Sequence, residues 1–420
     1  MHGTKKDIKR NLTLFFIDGM LFMPAMTFIA IATVIPFFLN YLGASTFQVA
    51  LSASSAFICT FMAQPLFGSI ASRTRLMAKT FGWILVMQRL IFLIFALSIP
   101  FFAVNPPLLV WMFLCFWGVF NIFVGSYSVF FTPLLLKLLP PEKRGAMRGI
   151  GFAIGSLLGV GIAALIPVII NRIVFPYNFV IIFATGSILL LCDATLFLLM
   201  REHKDVEPRI PLSIIQYIKG IPSSIREDAL FRAMIILCTF LVIANALLPY
   251  YTLYAIEVFS ATESHIATLT ALAVISAAVS HIVFGLIVDR YGPVPTSIIA
   301  ACLVTLAGIL ALSTNSLYFL YAAWILANLG NTCYIITMSL LLDKVTSSAK
   351  LPLYVGVLTT ISLALSSAVL LLLAPVLENI GFTLLFVVVL TCGGASLAVN
   401  LLVFRKHLAR RQAMLREEAL

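Results

Sequence analysis

Twelve mostly apolar stretches, each long enough to form a membrane-crossing helix, follow one another along the chain, and most of its charge lies in the gaps between them. A helix needs roughly 20 apolar residues to cross about 30 Å of hydrocarbon. The predicted spans cover residues 12–38, 47–71, 79–102, 107–134, 149–171, 177–200, 232–256, 265–288, 295–314, 317–342, 352–376 and 382–404. Together they take up more than half of the 420 residues and leave only short loops and tails. With 10% charged residues and a mean hydropathy of +1.10, the chain reads as an all-α polytopic membrane protein.

Lys and Arg collect in cytoplasmic loops, which sets the orientation. All but two of the 27 basic residues lie before the first span, in or at the edge of alternate loops, in or at the edge of the 201–231 interval, or after the last span. The exceptions are Arg172, in the opposite set of loops, and Arg89, inside the third span. Both termini are therefore expected on the cytoplasmic side of the plasma (inner) membrane. This bias accounts for the net charge of +11, so no nucleic-acid partner is implied; membrane lipid with anionic headgroups is the expected surface partner. The first span follows basic residues, as a signal peptide does. It is too long for that role, carries Asp18 and lacks a small-residue cleavage pattern, so a retained helix is expected. All seven cysteines fall within spans without a CxxC pair, which predicts reduced packing residues and no disulfide or metal framework. Asn11-Leu12-Thr13 matches a glycosylation sequon but faces the cytoplasm.

Three formal charges lie clearly within spans: Asp18, Arg89 and Asp193. At ~1.5 Å per residue they sit roughly 9, 15 and 10 Å from the cytoplasmic ends of their helices. Each costs on the order of 3 kcal/mol if unpaired, so a partner or a function is expected. The expected arrangement is a buried Asp18–Arg89 pair with Asp193 as competitor or third member. Such a group either fixes helix register or takes up a proton, and burial against a nearby cation leaves both readings open. The second half of the chain carries deep amides instead: Asn245 in span 7, and Asn328 and Asn331 in span 10. Asn121 in span 4 is a fourth, with Tyr127 below it. Amides at that depth bond across helices or meet substrate. His281 in span 8 either titrates near neutrality or packs. In span 5, Gly151, Gly155 and Gly159 form one small face for close helix approach.

Residues 201–231 are the longest polar interval and divide the spans six and six. The expected organisation is a six-helix bundle over 1–200, a linker over 201–231 in which Ile210–Lys219 can lie as an amphipathic helix, a second bundle over 232–404 and a basic tail over 405–420. The halves echo each other. Gly68 and Arg73 follow the second span's apolar run, and Gly285, Asp289, Arg290 and Gly292 follow the eighth, six spans later. Parallel six-helix repeats mark transporters that rock one half against the other.

On these motifs and this topology the chain resembles the major facilitator superfamily, of bacterial type. The family signature, Gly-x-x-x-Asp-Arg-x-Gly, fits at Gly285, Asp289, Arg290 and Gly292. The first copy keeps Gly68 and Arg73 but has Ser72 and Arg75 where the acid and second glycine belong. Pro140-Pro141-Glu142-Lys143-Arg144-Gly145 resembles the loop before span 5 of many members. In physical terms, glycine lets a helix end close to its neighbour and the acid can bond a facing helix N-terminus. The resemblance implies a substrate cavity between the halves, lined mainly by spans 1, 4, 7 and 10, with span 6 peripheral. That makes Asp18 the better proton candidate of the two acids. The antiporters of this superfamily that exchange drugs for protons carry a proline within the span-5 glycine motif and an arginine in span 4, both missing here.

The leading expectation is a secondary active transporter of a small solute, working as a monomer by alternating access and coupled to protons. The alternatives are a lipid or amphiphile flippase of the same fold, and, in another class, a receptor or assembly partner that does not transport. No Gly-x-x-x-x-Gly-Lys-Ser/Thr loop occurs and no His/Asp or His/Glu cluster converges at one depth, so neither ATP coupling, a cofactor nor an enzyme is expected. The lack of charge on spans 7 and 10 argues against highly charged substrates.

Overall fold

The computed structural model describes residues 4–202, 225, 228–313, 316–345, 351–404 and 406. The expected amphipathic helix at 210–219 and the tail, apart from residue 406, lie outside these residues. Among them, twelve helical segments are long and apolar enough to cross a membrane, and no strand occurs. Span 2 is Thr46–Arg73, span 3 Met77–Phe102, span 5 Pro141–Arg172 and span 6 Tyr177–Leu199. Later come span 8 (Glu263–Tyr291), span 9 (Pro293–Leu312), span 10 (Leu317–Val345) and span 11 (Leu351–Ile380), and span 12 is Thr383–Val399 closed by a π-helical turn, Asn400–Phe404.

The helix starts follow from local chemistry. Spans 1 and 2 open with reciprocal caps, Thr4 with Asp7 and Ser45 with Gln48, each satisfying orphan backbone N–H groups. Span 9 follows Gly292 at φ +82°, a conformation that favours glycine, and begins on Pro293. Span 3 has Leu76 at its cap position, which offers no acceptor. A carboxylate from beyond span 6 replaces it: Glu202 accepts from the Ala78 N–H at 2.7 Å and from Lys137 at 2.6 Å. Beside it, Asn11 pairs with both the N–H and the C=O of Arg201. Asn11 is only 2% exposed, so its sequon serves packing.

Three spans expected to be continuous are broken. Span 1 runs Lys5–Phe28 and resumes as Val34–Tyr41, span 4 runs Pro106–Val124 and Ser126–Leu138, and span 7 runs Ala229–Ala246 and Leu248–Phe259. Proline explains two of the breaks. Pro36 and Pro249 have no N–H to give to the carbonyl four residues earlier, and the freed carbonyl of Asn245 accepts instead from Leu247. At Gly125 the cause is close packing, since a Cβ there would stand 2.6 Å from the Thr60 carbonyl of span 2.

The chain divides into two compact units, Met1–Leu212 with Ile256–Ala278, and Ser213–Ala255 with Val279–Leu420. In the first, span 1 packs on spans 5 and 6, span 3 on spans 4 and 6, and span 2 on span 4. In the second, span 7 packs on spans 11 and 12 and span 9 on spans 10 and 12, the same pairings six spans later. Spans of the second unit are joined by buried hydrogen bonds: Thr239 to Ser362, Tyr250 to the Leu370 carbonyl, Ser396 to the Leu237 carbonyl and Asn400 to Ser297. Within the first unit, Thr270 donates at 2.7 Å to Thr33, which lies in the break of span 1.

The glycine face of span 5 is where span 1 lies. A Cβ at Gly151 would stand 2.5 Å from the Phe16 carbonyl, one at Gly159 would stand 2.8 Å from the Thr27 hydroxyl, and one at Gly155 would meet the Gly19 carbonyl. On the other side of span 1, Gly186 of span 6 makes room for Phe28. Replacing Gly155 with leucine should force spans 1 and 5 apart and lower stability by about 1–3 kcal/mol or more. Gly161→Leu, with nothing within 4 Å, should be near neutral. Thermal unfolding in detergent distinguishes the two, and equal melting temperatures would contradict the close approach.

Candidate functional site

The nesting of span 1 between spans 5 and 6 brings Asp18 into the interior of the first unit, where it is 3% exposed. Arg89 on span 3 is 2% exposed and Asp193 on span 6 is fully buried. Arg89 spreads its donors over four groups. Its Nε donates to the Leu190 carbonyl at 3.2 Å, one terminal nitrogen donates to the Gln88 side chain, and the other donates to the Tyr127 hydroxyl at 2.9 Å and to Asp193 at 3.3 Å. Gln88 in turn donates to the Phe120 carbonyl of span 4 at 3.0 Å. The carboxyl of Asp18 lies beside that of Asp193 and within electrostatic reach of Tyr127.

The ion pair resolved for Arg89 is thus with Asp193, and Asp18 joins the cluster through that acid. Span 6 was expected at the periphery, but it packs on spans 1 and 3, which turns Asp193 inward. Aromatic rings wall the cluster. Phe81 meets Tyr127 edge-on at 5.3 Å and Phe197 at 5.0 Å, and Phe22 and Phe131 pack on Tyr127 from other sides. These rings exclude water and strengthen every electrostatic contact inside. Sequence reasoning missed Gln88, although a glutamine beside an intramembrane arginine is a visible signal. It also missed Glu202, which lies in a loop and becomes meaningful only once its partners are placed.

The four amides divide. Asn121 is buried, and its Nδ2 donates to the Trp117 carbonyl of its own helix at 2.7 Å. Asn328 does the same with Trp324 at 2.8 Å. Asn245 and Asn331, both half-buried, line one cavity of about 10 Å³ in the second unit with Leu241, Ala244, Ala327 and Gly330. That is room for roughly one water. His281 is exposed on span 8 and is not among the residues that line this cavity. Of the loop motif, a Cβ added at Gly68 or Gly285 would meet nothing within 4 Å among the described residues. Arg290 is exposed, with its guanidinium 5.3 Å from the Tyr291 ring, and Gly292 serves its positive φ. The side chains of Arg73 and Asp289 lie outside the described residues. Two cysteines, Cys115 and Cys192, are exposed and do not pack in the core, and among the described residues no His/Cys/Asp/Glu group could hold a metal.

Residues 234–418 match the family model of the Major Facilitator Superfamily. No curated protein matches the chain at a comparable level by sequence. Several solved structures share its fold over nearly their whole length. A D-xylose–proton symporter aligns with a TM-score of 0.69 at 15% identity, covering 94% of this chain and 96% of that one. The nucleoside transporter NupG aligns at 0.66 and 15%, covering 96% and 99%. A bacterial homologue of the human lysosomal transporter Spinster aligns at 0.63 and 14%, covering 97% and 94%. At such identities the likeness is one of fold.

Arg89 forms a buried ion pair with Asp193, so Arg89→Met should cost about 3–5 kcal/mol, the usual loss when one partner of such a pair is removed. Adding Asp193→Asn should restore most of that loss. Chemical or thermal unfolding of the single and double variants is the measurement, and additive losses would show that the two side chains are uncoupled.

Proposed function

Because residues 234–418 match the major facilitator superfamily and the whole chain takes its fold, we propose that this multi-pass membrane protein is a secondary active transporter of a small solute, coupled to protons. It works by alternating access as a monomer in the inner membrane, with both termini cytoplasmic. The observation that supports coupling is the buried Asp18–Asp193–Arg89–Tyr127 cluster, in which titratable carboxyls lie beside a guanidinium in a dry site. A change in protonation there changes the charge of a dry site. It thereby favours whichever conformation hydrates or neutralises that charge, the bias that alternating access needs.

The substrate is a solute without strong net charge. Asn245 and Asn331 support this: each half-buried amide offers a donor and an acceptor, and among the described residues neither side chain is engaged in a hydrogen bond. They share their cavity with the broken span 7, where a discontinuous helix turns backbone groups toward a ligand.

Reconstituted protein, loaded with panels of neutral solutes and given a pH gradient, tests this reading. The wild type should concentrate a substrate against its gradient. Asp18→Asn should lose uphill transport while retaining solute exchange at equal pH. If the variant still concentrates solute, the coupling site is elsewhere.

A further inference from the structure

We propose that the hydroxyl of Tyr251 is a ligand-binding group of the Asn245–Asn331 cavity, and that the ligand is a neutral solute bearing neighbouring hydroxyls. The proposal rests on the reading of that cavity as the place where solute binds, and adds to it a residue and a solute class.

The first support is a donor without an acceptor. Tyr251 lies in the Leu248–Phe259 segment of span 7 and is fully buried, and among the described residues its hydroxyl has no hydrogen-bond partner. Its neighbour Tyr250 is just as buried but donates to the Leu370 carbonyl of span 11 at 2.7 Å. Tyr250 thereby fastens the segment, and Tyr251 does not. The Tyr251 ring packs edge-on against Phe386 at 5.2 Å and tilted against Trp324 at 6.0 Å, contacts that a phenylalanine ring would make equally well. A hydroxyl kept dry and unpaired costs free energy. A partner that arrives from outside the fold removes that cost.

The second support is position, within the second unit alone. Ala327 of span 10 and Val389 of span 12 line the cavity. Each lies about one turn along its helix from a residue that the Tyr251 ring touches, Trp324 and Phe386 respectively, and on the same face. The ring therefore occupies the layer next to the cavity. Helical side chains lean toward the N-terminal turn of their own helix, and for Tyr251 that is the break after Asn245.

These groups define the ligand. The two amides and the phenol each give and accept hydrogen bonds, and none of the described residues lining the cavity is charged. Neighbouring hydroxyls, which also give and accept, satisfy all three, whereas an ammonium or a carboxylate would enter without a counter-charge. The other walls are mostly apolar, as in sites where a few polar groups orient a small molecule. With room for roughly one water, the cavity is closed to such a solute in this conformation, and the break between Ala246 and Leu248 is the hinge that admits it.

Purified protein in detergent, with no pH gradient, tests the site. Without ligand, Tyr251→Phe should melt at the wild-type temperature or above it, and Tyr250→Phe below it. A lower melting temperature for Tyr251→Phe would show that the hydroxyl serves the fold, and the proposal would fall. Xylitol, sorbitol and myo-inositol are the probes, with hydroxyl-free tetrahydropyran and charged xylonate as controls, and calorimetry reads binding. At least one polyol should bind the wild type and bind Tyr251→Phe about 3–10-fold more weakly, the loss of one hydrogen bond. No polyol binding, or tighter binding of a control, overturns the solute class. Equal affinity for wild type and Tyr251→Phe overturns the role of the hydroxyl. The outcomes separate from those of coupling. Polyol binding weakened in Tyr251→Phe, with uphill flux intact in Asp18→Asn, keeps this site and removes the coupling role of Asp18. Uphill flux lost in Asp18→Asn, for a solute that binds Tyr251→Phe as tightly as wild type, does the reverse.

Discussion

Inside hydrocarbon an arginine has few tolerable states, and the first unit of this protein is arranged around satisfying one. Arg89 draws on a backbone carbonyl of span 6, a glutamine of its own span, a phenol of span 4 and a carboxylate of span 6. Those bonds fix the register of spans 3, 4 and 6 against one another. Span 1 is bound to the same group through Asp18. Four helices thus meet at a polar centre whose removal would leave charges that no lipid or ring can compensate.

That centre depends on packing at some distance from it. Asp18 reaches Asp193 because span 1 lies almost backbone-to-backbone on span 5, an approach that the small face of Gly151, Gly155 and Gly159 permits and any side chain would block. Gly186 gives the same clearance toward span 6. The end of the bundle is closed separately: Glu202 caps span 3 and binds Lys137 of span 4, and Asn11 of span 1 holds the Arg201 backbone. The two polar devices bracket an aromatic core of Phe15, Phe81, Phe130, Phe131 and Phe197, which gives cohesion but no directional specificity.

The membrane class and the spans were legible because hydrocarbon thickness imposes a length that composition alone reveals. The glycine face of span 5 was legible because spacing of four is a surface property of one helix. The partner of Arg89 was not. Depth along a helix places Asp18 and Asp193 at nearly the same level, and choosing between them requires the rotation of spans 1 and 6, which no single-helix pattern encodes. The breaks were only half visible. Pro36 and Pro249 announce lost hydrogen bonds, whereas Gly125 breaks span 4 because of Thr60 on another helix. The amides show the same limit: Asn121 and Asn328 bond to their own helix, and among the described residues Asn245 and Asn331 do not, a difference that depth along a helix does not encode.

The proposed proton dependence of the polar centre is tested most directly by a pair of experimental structures of the protein in lipid nanodiscs, one at acidic and one at alkaline pH. At acidic pH the carboxyls of Asp18 and Asp193 should stand within hydrogen-bond distance with Arg89 on Asp193. At alkaline pH they should separate, with water between them and Arg89 still paired. An Asp18–Asp193 contact unchanged between the two structures, or Asp18 bound to Arg89 in both, would contradict it.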